Sequence, residues 1–355
     1  MDAATLTPRG PAPSPPLPGR AHKAIARAGR ALSYWQRPAM ALILAVTLGL
    51  RLWGIKQGLP YSYNVDEATH FVPRAIAFFS HDLNPQYFLN PPGYSYLLHI
   101  VFELWFGSGD AVSRAFAEDP TRVFLVARVV AAALGTLAVW LTYLAGHRLF
   151  GRSVAVLGAA IFAVAYLPIF YSHLALNDVP TLAPVALSLY GIAGVLRRGW
   201  RRDYVLSGVA IGLAAATKYT GGITLICLLA AAACDGAGGA ALIALRRTGL
   251  ALLAALGAFA LANPFALLDF SAFQAGVSTQ QALAGGQAPM KLGTTAASGT
   301  AYYLWAFTWG LGWVPSLAAI GGAARLALRR RLTMLLVLVP APVAFILYMG
   351  DQQRF

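Results

Sequence analysis

Two adjacent acids, Asp66 and Glu67, follow the first apolar run of the chain, within the sequence YSYNVDEATH over 61–70. The apolar, aromatic stretch at 71–79 predicts an interfacial helix, and a helix dipole favours ionised carboxylates at its N-terminus. An ionised aspartate at the mouth of a helix bundle is a suitable general base for a hydroxyl acceptor. We therefore predict that Asp66 is catalytic, against the alternative that both acids are solvated loop charges.

A second acid, Asp178, lies in a short connection between two long apolar runs, within YSHLALNDVP over 171–180. If the helix bundle is compact, its carboxylate faces that of Asp66 over one outer cavity. This predicts a second catalytic acid. The alternative is a plain helix cap ahead of Pro180.

Several cations fall on the same predicted side. Arg128 lies about six residues into an apolar run, and a guanidinium at that depth is costly unless it is paired or faces a wet cavity. Lys218 and Arg354 lie at or beyond the ends of other apolar runs, and His173 lies close to Asp178. Together these side chains could bind a phosphate group. The predicted site therefore joins acids that activate an acceptor to cations that receive a phosphate leaving group.

The composition indicates what positions these residues. The chain has 355 residues, of which 58% are hydrophobic and 11% charged, against roughly 25% charged in soluble domains. The net charge of +14 comes from short basic clusters between apolar runs, which topology and anionic lipid explain without nucleic acid. Cys227 and Cys234 lie in one apolar run, with no spacing typical of a disulfide framework or zinc site. We predict an all-α polytopic membrane protein.

Nine apolar runs are long enough, or nearly so, to cross a bilayer. The predicted crossings are 38–55, 122–145, 153–171, 180–196, 204–217, 221–234, 248–263, 301–322 and 332–349. The preceding segment, 1–37, is rich in proline and basic residues, which predicts a disordered cytoplasmic tail. A transmembrane domain over 38–355 then carries a large first outer loop, 56–121. Because the chain stops directly after an apolar run, we expect the domain to continue beyond residue 355.

Charge decides how the run 91–106 is placed. If it does not cross and the N-terminus is cytoplasmic, 18 of the 27 basic residues lie inside and 10 of the 13 acids outside. We therefore predict an interfacial or re-entrant helix here, and a candidate site on the outer, periplasmic side of the cytoplasmic (inner) membrane. The short runs 204–217 and 221–234 meet on that side at 218–222, and a Gly-rich break between short helices often marks a site.

Six motifs follow one another along the chain: Asp66-Glu67, Asn90-Pro91-Pro92-Gly93-Tyr94, Ala127-Arg128, Arg148-Leu-Phe-Gly151, Leu176-Asn-Asp178 and Thr217-Lys218-Tyr219-Thr220. In this order they resemble the polyprenyl-phosphate-sugar-dependent glycosyltransferases of the GT-C fold, over about 40–350. The groups that the motifs resemble most are the protein O-mannosyltransferases, the aminoarabinose transferases and the RgtA/B/C/D-like enzymes.

The resemblance implies roles for individual residues. Asp66 would be the catalytic acid of the first outer loop, and Lys218 would contact the lipid phosphate. Glu67 would join the substrate-binding residues. Two positions depart from the family pattern. Asn90 stands where a His or a Glu-Lys pair often precedes Pro-Pro, and His173 stands where Arg is common. We keep both as candidate substrate-binding residues.

The implied function is an inverting glycosyltransferase that moves a sugar from a polyprenyl phosphate to a hydroxyl of a protein, lipid or glycan at the outer face. Membrane lipids surround it, and no nucleic acid takes part. No cofactor is required, although two acids leave room for a divalent cation. The alternatives are a transporter or lipid-linked-sugar flippase, in which intramembrane charges line a path, and a non-catalytic subunit of a cell-wall complex.

Overall fold

The computed structural model describes residues 37–80, 82–236, 241–284 and 299–350. All regular structure in these ranges is helical. The chain divides into two units, 1–42 and 43–355, and the site lies in the second. Of the predicted disordered tail, all but residue 37 lies outside the described residues, and that residue opens helix α1 over 37–52.

Short helices form in residues 56–121, the segment predicted as the first outer loop. A π-helical turn, Glu67–Phe71, continues directly into the first of them. These helices are α2 (Val72–Ala77), α3 (Gly93–Phe106) and α4 (Gly109–Glu118). Their apolar faces share one core with the first turns of the next helix, and that core includes Phe71, Tyr94 and Phe124. The loop is therefore a packed layer that fixes its side chains against the bundle.

Long helices form the bundle behind this layer. They are α5 (Pro120–Phe150), α6 (Arg152–Val164), α7 (Tyr166–Ser172), α8 (Asp178–Arg198), α9 (Arg201–Thr217), α10 (Leu225–Gly236) and α11 (Ala241–Ala262). A 3₁₀ turn, Tyr219–Thr224, separates α9 from α10, so the break predicted at 218–222 is confirmed. Helices α8 to α11 share an apolar core that includes Ile192, Tyr204 and Leu228.

The remaining helices continue the apolar part of the chain. They are α12 (Phe265–Leu268), α13 (Phe270–Ala284), α14 (Gly299–Phe307), α15 (Trp313–Leu328), α16 (Leu332–Leu338) and α17 (Pro340–Gly350). A π-helical turn, Thr308–Gly312, joins α14 to α15. Many of their large apolar side chains, such as Val314 and Leu328, are exposed, as expected of surfaces that face lipid.

The protein is a multi-span membrane protein, but the predicted count of nine crossings is not confirmed. Six continuous helical stretches in the described ranges are long and apolar enough to span, and α6 with α7 would make a seventh. That pair, predicted as one run, is bent by 54°. Pro168 explains the bend, because proline has no N–H for the carbonyl of Val164 and its ring clashes with that carbonyl in a continuous helix. The backbone is instead extended at Ala165.

At one end of the bundle, two arginines surround a buried aspartate. We call this cluster of Arg148, Arg198, Asp203 and Tyr190 the arginine end. Asp203 lies 3.2 Å from Arg148 and 3.4 Å from Arg198. The guanidinium of Arg148 also lies 3.4 Å from the ring centre of Tyr190. The other ends of α5, α8 and α9, about 25–30 Å away, carry the acids and cations described next.

Candidate functional site

Glu67 connects the packed layer of residues 56–121 to the helix bundle, and we call it the hub of that layer. It is fully buried, and both of its carboxylate oxygens accept hydrogen bonds from other segments. Oε1 accepts from Arg128 Nε and from the Ala175 amide, each at 2.7 Å. Oε2 accepts from Arg128 Nη2 at 2.7 Å and from Ser62 Oγ at 2.6 Å. The first outer loop is therefore fastened to α5 and to the segment that precedes α8.

Arg128 completes this fastening. Its Nη1 donates to the carbonyls of Ile55 at 2.8 Å and Gln57 at 2.9 Å, which lie just beyond α1. Burying the guanidinium of Arg128 within the bundle removes it from water, and the bidentate bond to the Glu67 carboxylate and the two backbone carbonyls offset that desolvation. Both Glu67 and Arg128 are enclosed by protein, with side-chain exposures of 0% and 2%. Their substrate-binding roles stay predictions, and substrate contact would require this pair to open.

Asp66, the neighbour of Glu67, has the opposite environment. Its side chain is 57% exposed, and its only ion pair in the described part of the chain is with His70, whose Nε2 lies 3.6 Å from Oδ1. Asn64 Oδ1 accepts from the Asp66 amide at 3.0 Å and from the Glu67 amide at 3.2 Å, which orders the start of the π-helical turn. The predicted position at a helix N-terminus is confirmed. Asp66 therefore presents an accessible carboxylate from a segment that the hydrogen bonds of Asn64 and Glu67 hold in place.

Asp178 and Lys218 form an ion pair. Nζ of the lysine lies 2.5 Å from Oδ1 of the aspartate, and each side chain is 36% exposed. Asp178 is the first residue of α8 and does not cap it; Asn177 occupies the cap position. The side chain of Asn177 instead donates to the Thr217 carbonyl at 2.8 Å. That bond ties the start of α8 to the end of α9, directly beside Lys218.

Two glycines explain why the predicted motifs converge here. A Cβ built at Gly93, in the Pro-Pro-Gly motif, would overlap the Ala216 carbonyl oxygen near the end of α9. A Cβ at Gly221 would lie 2.7 Å from the Ala214 carbonyl and 2.8 Å from the Thr181 side chain. Both positions therefore need glycine for close backbone approach. They bring α3 and the 3₁₀ turn against the residues around Lys218.

Two sets of contacts connect the regions of Asp66 and Asp178. The shorter passes from Glu67 to Ala175, three positions before Asp178. The other passes from His70 to Tyr87, whose rings stack at 4.8 Å. The neighbour of Tyr87, Phe88, accepts a 2.9 Å bond at its carbonyl from the hydroxyl of Tyr219, which adjoins Lys218. These contacts connect the two segments, and that the two acids serve one site stays a prediction. We call Asp66, Asp178 and Lys218 together the acidic site.

Sequence reasoning missed three residues beside Asp66, namely His70, Arg74 and Tyr87. Arg74 Nη1 lies 3.1 Å from His70 Nδ1, and its guanidinium lies 3.6 Å from the ring centre of Tyr87. Burial and Arg74 lower the pKa of His70 from its ordinary 6.5, and Asp66 opposes this by raising it. Asp66, His70 and Arg74 are spaced four residues apart on one helical face, and this spacing is the signal that could have identified His70 and Arg74.

The remaining predicted residues have other partners. His173 Nε2 lies 3.1 Å from the Leu50 carbonyl. Asn90 Nδ2 donates to the Tyr87 hydroxyl at 3.2 Å, so Asn90 adjoins the His70 cluster. Arg354 lies outside the described residues. Substrate contacts by these three residues stay predictions.

The described residues contain no group of three or more His, Cys, Asp and Glu side chains that could hold a metal ion. Because Lys218 already pairs with Asp178, a divalent cation between the acids would have to displace that ammonium. Divalent-cation binding thus stays a prediction.

Comparisons with known proteins agree with this architecture. Residues 121–267 match the family model for dolichyl-phosphate-mannose-protein mannosyltransferase. The S. cerevisiae protein O-mannosyltransferase Pmt1–Pmt2 complex bound to the sugar donor matches over 67% of this chain, at 22% identity and a TM-score of 0.52. The Archaeoglobus fulgidus oligosaccharyltransferase in its apo form matches over 91%, at 16% identity and a TM-score of 0.56. A search of curated protein sequences found no match.

The chain spans only part of each matched structure, 34% of the yeast chain and 48% of the archaeal one. The family match covers α5 and α8, which carry Arg128 and Asp178, and the segment with Lys218. Residues 121–267 are thus similar to dolichyl-phosphate-mannose-protein mannosyltransferases, and the chain is a membrane protein with the fold of the GT-C glycosyltransferases.

Proposed function

We propose that this chain is an inverting glycosyltransferase, which moves a sugar from a polyprenyl phosphate to an acceptor hydroxyl at the outer membrane face. The observation that carries the proposal is the accessible Asp66 carboxylate, held on a segment that the buried Glu67–Arg128 pair fastens. The half-exposed Lys218 supplies the cation for a phosphate. This pairing of an accessible base with a phosphate-binding cation fits sugar transfer from a lipid phosphate.

The reaction is a single displacement. Asp66 takes the proton of the acceptor hydroxyl as its oxygen attacks the anomeric carbon. The bond from that carbon to the phosphate oxygen breaks, and its electron pair stays on the phosphate. Lys218 stabilises the resulting charge, and Asp178 holds the ammonium of Lys218 in place. A single displacement inverts the anomeric configuration. Because phosphate is a good leaving group, no general acid is needed.

The proposed outer location rests on charge. The acidic site lies at one end of α5, α8 and α9, and the arginine end lies at the other. Because basic segments favour the cytoplasmic side, the acidic site would face outward. Nucleotide sugars are confined to the cytoplasm, so a lipid-linked donor suits this location. The family description makes mannose the first sugar to test, and the acceptor would be a protein, lipid or glycan.

The test is donor turnover by the complete protein. Purified protein in vesicles is given polyprenyl-phosphate-linked sugars one at a time, beginning with mannose, and the release of polyprenyl phosphate is measured. We expect Asp66→Asn to lower turnover by about 10²- to 10⁴-fold, the usual contribution of a general base. Asp110→Asn is the matched control, because Asp110 is an exposed acid of the same outer loop with no ion pair to the site. It should keep wild-type turnover.

Wild-type turnover by folded Asp66→Asn would refute the catalytic assignment. Movement of an intact lipid-linked sugar across the vesicle membrane, without cleavage of any sugar in the panel, would favour the transporter or flippase alternative.

A further inference from the structure

His70 has a defined hydrogen-bonding arrangement. Its two ring nitrogens face groups of opposite charge, with Nδ1 3.1 Å from Arg74 Nη1 and Nε2 3.6 Å from Asp66 Oδ1. Arg74 Nη1 also donates to the His70 carbonyl at 3.1 Å, which fixes the guanidinium on the helix. The ring stacks on Tyr87, and its side chain is 25% exposed. His70 is therefore oriented from three sides.

The chemistry of Arg74 determines which nitrogen carries the proton. A guanidinium has five donors and no acceptor, so the nitrogen it faces must accept. Nδ1 of His70 is then unprotonated, and the proton of the neutral ring sits on Nε2, the nitrogen that faces Asp66. Because burial and Arg74 lower the pKa of His70, the neutral ring is favoured. Among the described residues, the charged or titratable groups that contact the ring are Asp66 and Arg74 on its own helix and Tyr87 on the loop packed against it.

We propose that His70 is a positioning residue for Asp66, whose Nε2–H directs one carboxylate oxygen so that the other faces the acceptor hydroxyl. This inference rests on the proposed function, in which Asp66 is the base. The gap of 3.6 Å is longer than a hydrogen bond, so the proposal requires the exposed side chain of Asp66 to rotate toward the ring when the substrate binds. Such bonds often tighten only when the substrate is bound.

The arrangement can be tested without any substrate. The complete protein, labelled with ¹⁵N-histidine, is studied by NMR in micelles, and the His70 signal is identified by its loss in His70→Gln. We expect a neutral ring protonated on Nε2, with a pKa below 6.5. Arg74→Leu should raise that pKa, because it removes a positive neighbour, and Asp66→Asn should lower it further. A ring protonated on Nδ1 would overturn the proposal.

Kinetics test the consequence for turnover, with the same panel of polyprenyl-phosphate-linked sugars. His70→Phe keeps a ring to stack on Tyr87 but has no N–H, whereas His70→Gln keeps an amide donor. We expect His70→Phe to lower kcat roughly tenfold to a hundredfold with little change in KM, as for other residues that orient a functional ligand. His70→Gln should recover most of the loss. A merely structural role would affect both variants alike.

His99→Phe is the matched control. This half-buried histidine of the same loop contacts the Ala75 carbonyl and the Phe79 ring, away from Asp66, so kcat should not change. If His70→Phe keeps wild-type kcat while Asp66→Asn is inactive, the positioning role is wrong and the proposed function stands. If Asp66→Asn itself keeps wild-type turnover, the proposed function is wrong.

Discussion

The two ends of α5, α8 and α9 hold their acids in opposite ways. At the arginine end, Asp203 has a side-chain exposure of 3% and lies between two arginines. At the acidic site, Asp178 is 36% exposed and pairs with one lysine, and Asp66 is 57% exposed, with His70 as its ion-pair partner among the described residues. An enclosed acid between two cations has no room for a substrate, whereas a partly exposed one can exchange its partner. The difference in exposure indicates that the arginine end is a structural ion cluster, whereas the acidic site is suited to chemistry.

Glu67 and Arg128 lie next to Asp66, but their ion pair is enclosed by protein, as Asp203 is at the arginine end. Removing one member of a buried pair leaves the other charge uncompensated, which costs about 3–5 kcal/mol. We therefore expect Glu67→Gln to cause the largest loss of unfolding free energy, measured by thermal and denaturant unfolding in detergent. Glu103→Gln, a change of an exposed acid on α3, is the control and should cost less than about 0.5 kcal/mol. Equal stability of the two variants would contradict the assignment of Glu67 as the hub.

We expect the second-largest loss of unfolding free energy from a substitution at the arginine end. Asp203→Asn weakens two ion pairs, and hydrogen bonds between charged groups contribute roughly 1.5–3 kcal/mol. We expect a loss of stability in that range, with donor turnover per folded molecule unchanged. Arg201→Gln, an exposed arginine at the start of α9, is the control, and its stability should stay near wild type. A loss of turnover by folded Asp203→Asn as large as that of Asp66→Asn would remove the distinction between the two ends.

Residue type and local spacing were enough to predict where Asp66 and Lys218 lie relative to the ends of their helices. Asp66 ahead of an aromatic stretch and Lys218 at a Gly-rich break are local patterns, and the structure places both as the sequence indicated. The partners were not local. Glu67 bonds to Arg128, 61 residues away, and Asp178 bonds to Lys218, 40 residues away. Which acid meets which cation depends on helix packing, which periodicity does not specify.

The fold class could also be predicted from local sequence, whereas the number of membrane crossings could not. Apolar runs of this length form helices in a bilayer, because a helix satisfies its backbone hydrogen bonds within the segment. Composition does not reveal how a run is divided. The run 153–171 contains Pro168, yet its uniform apolarity predicted one crossing, whereas the structure has two helices joined at an angle of 54°. The contacts of His70 and Arg74 with their neighbours were not predicted, because neither residue was considered as part of a helical face with Asp66.

Substitution of Lys218 tests the difference between the two ends with the smallest expected change in stability, because it should lower turnover while leaving the unfolding free energy almost unchanged. A half-exposed ion pair contributes only about 0–1 kcal/mol to folding, so Lys218→Gln should leave the unfolding free energy almost unchanged. Turnover should fall roughly tenfold to a hundredfold in kcat/KM, because a charged hydrogen bond to the departing phosphate is lost. Lys56→Gln, an exposed lysine beyond α1, is the control and should match wild type in both measurements. If Lys218→Gln instead lost stability while folded molecules kept full kcat/KM, Lys218 would be a structural cation like Arg148, and the acidic site would need another group to receive the phosphate.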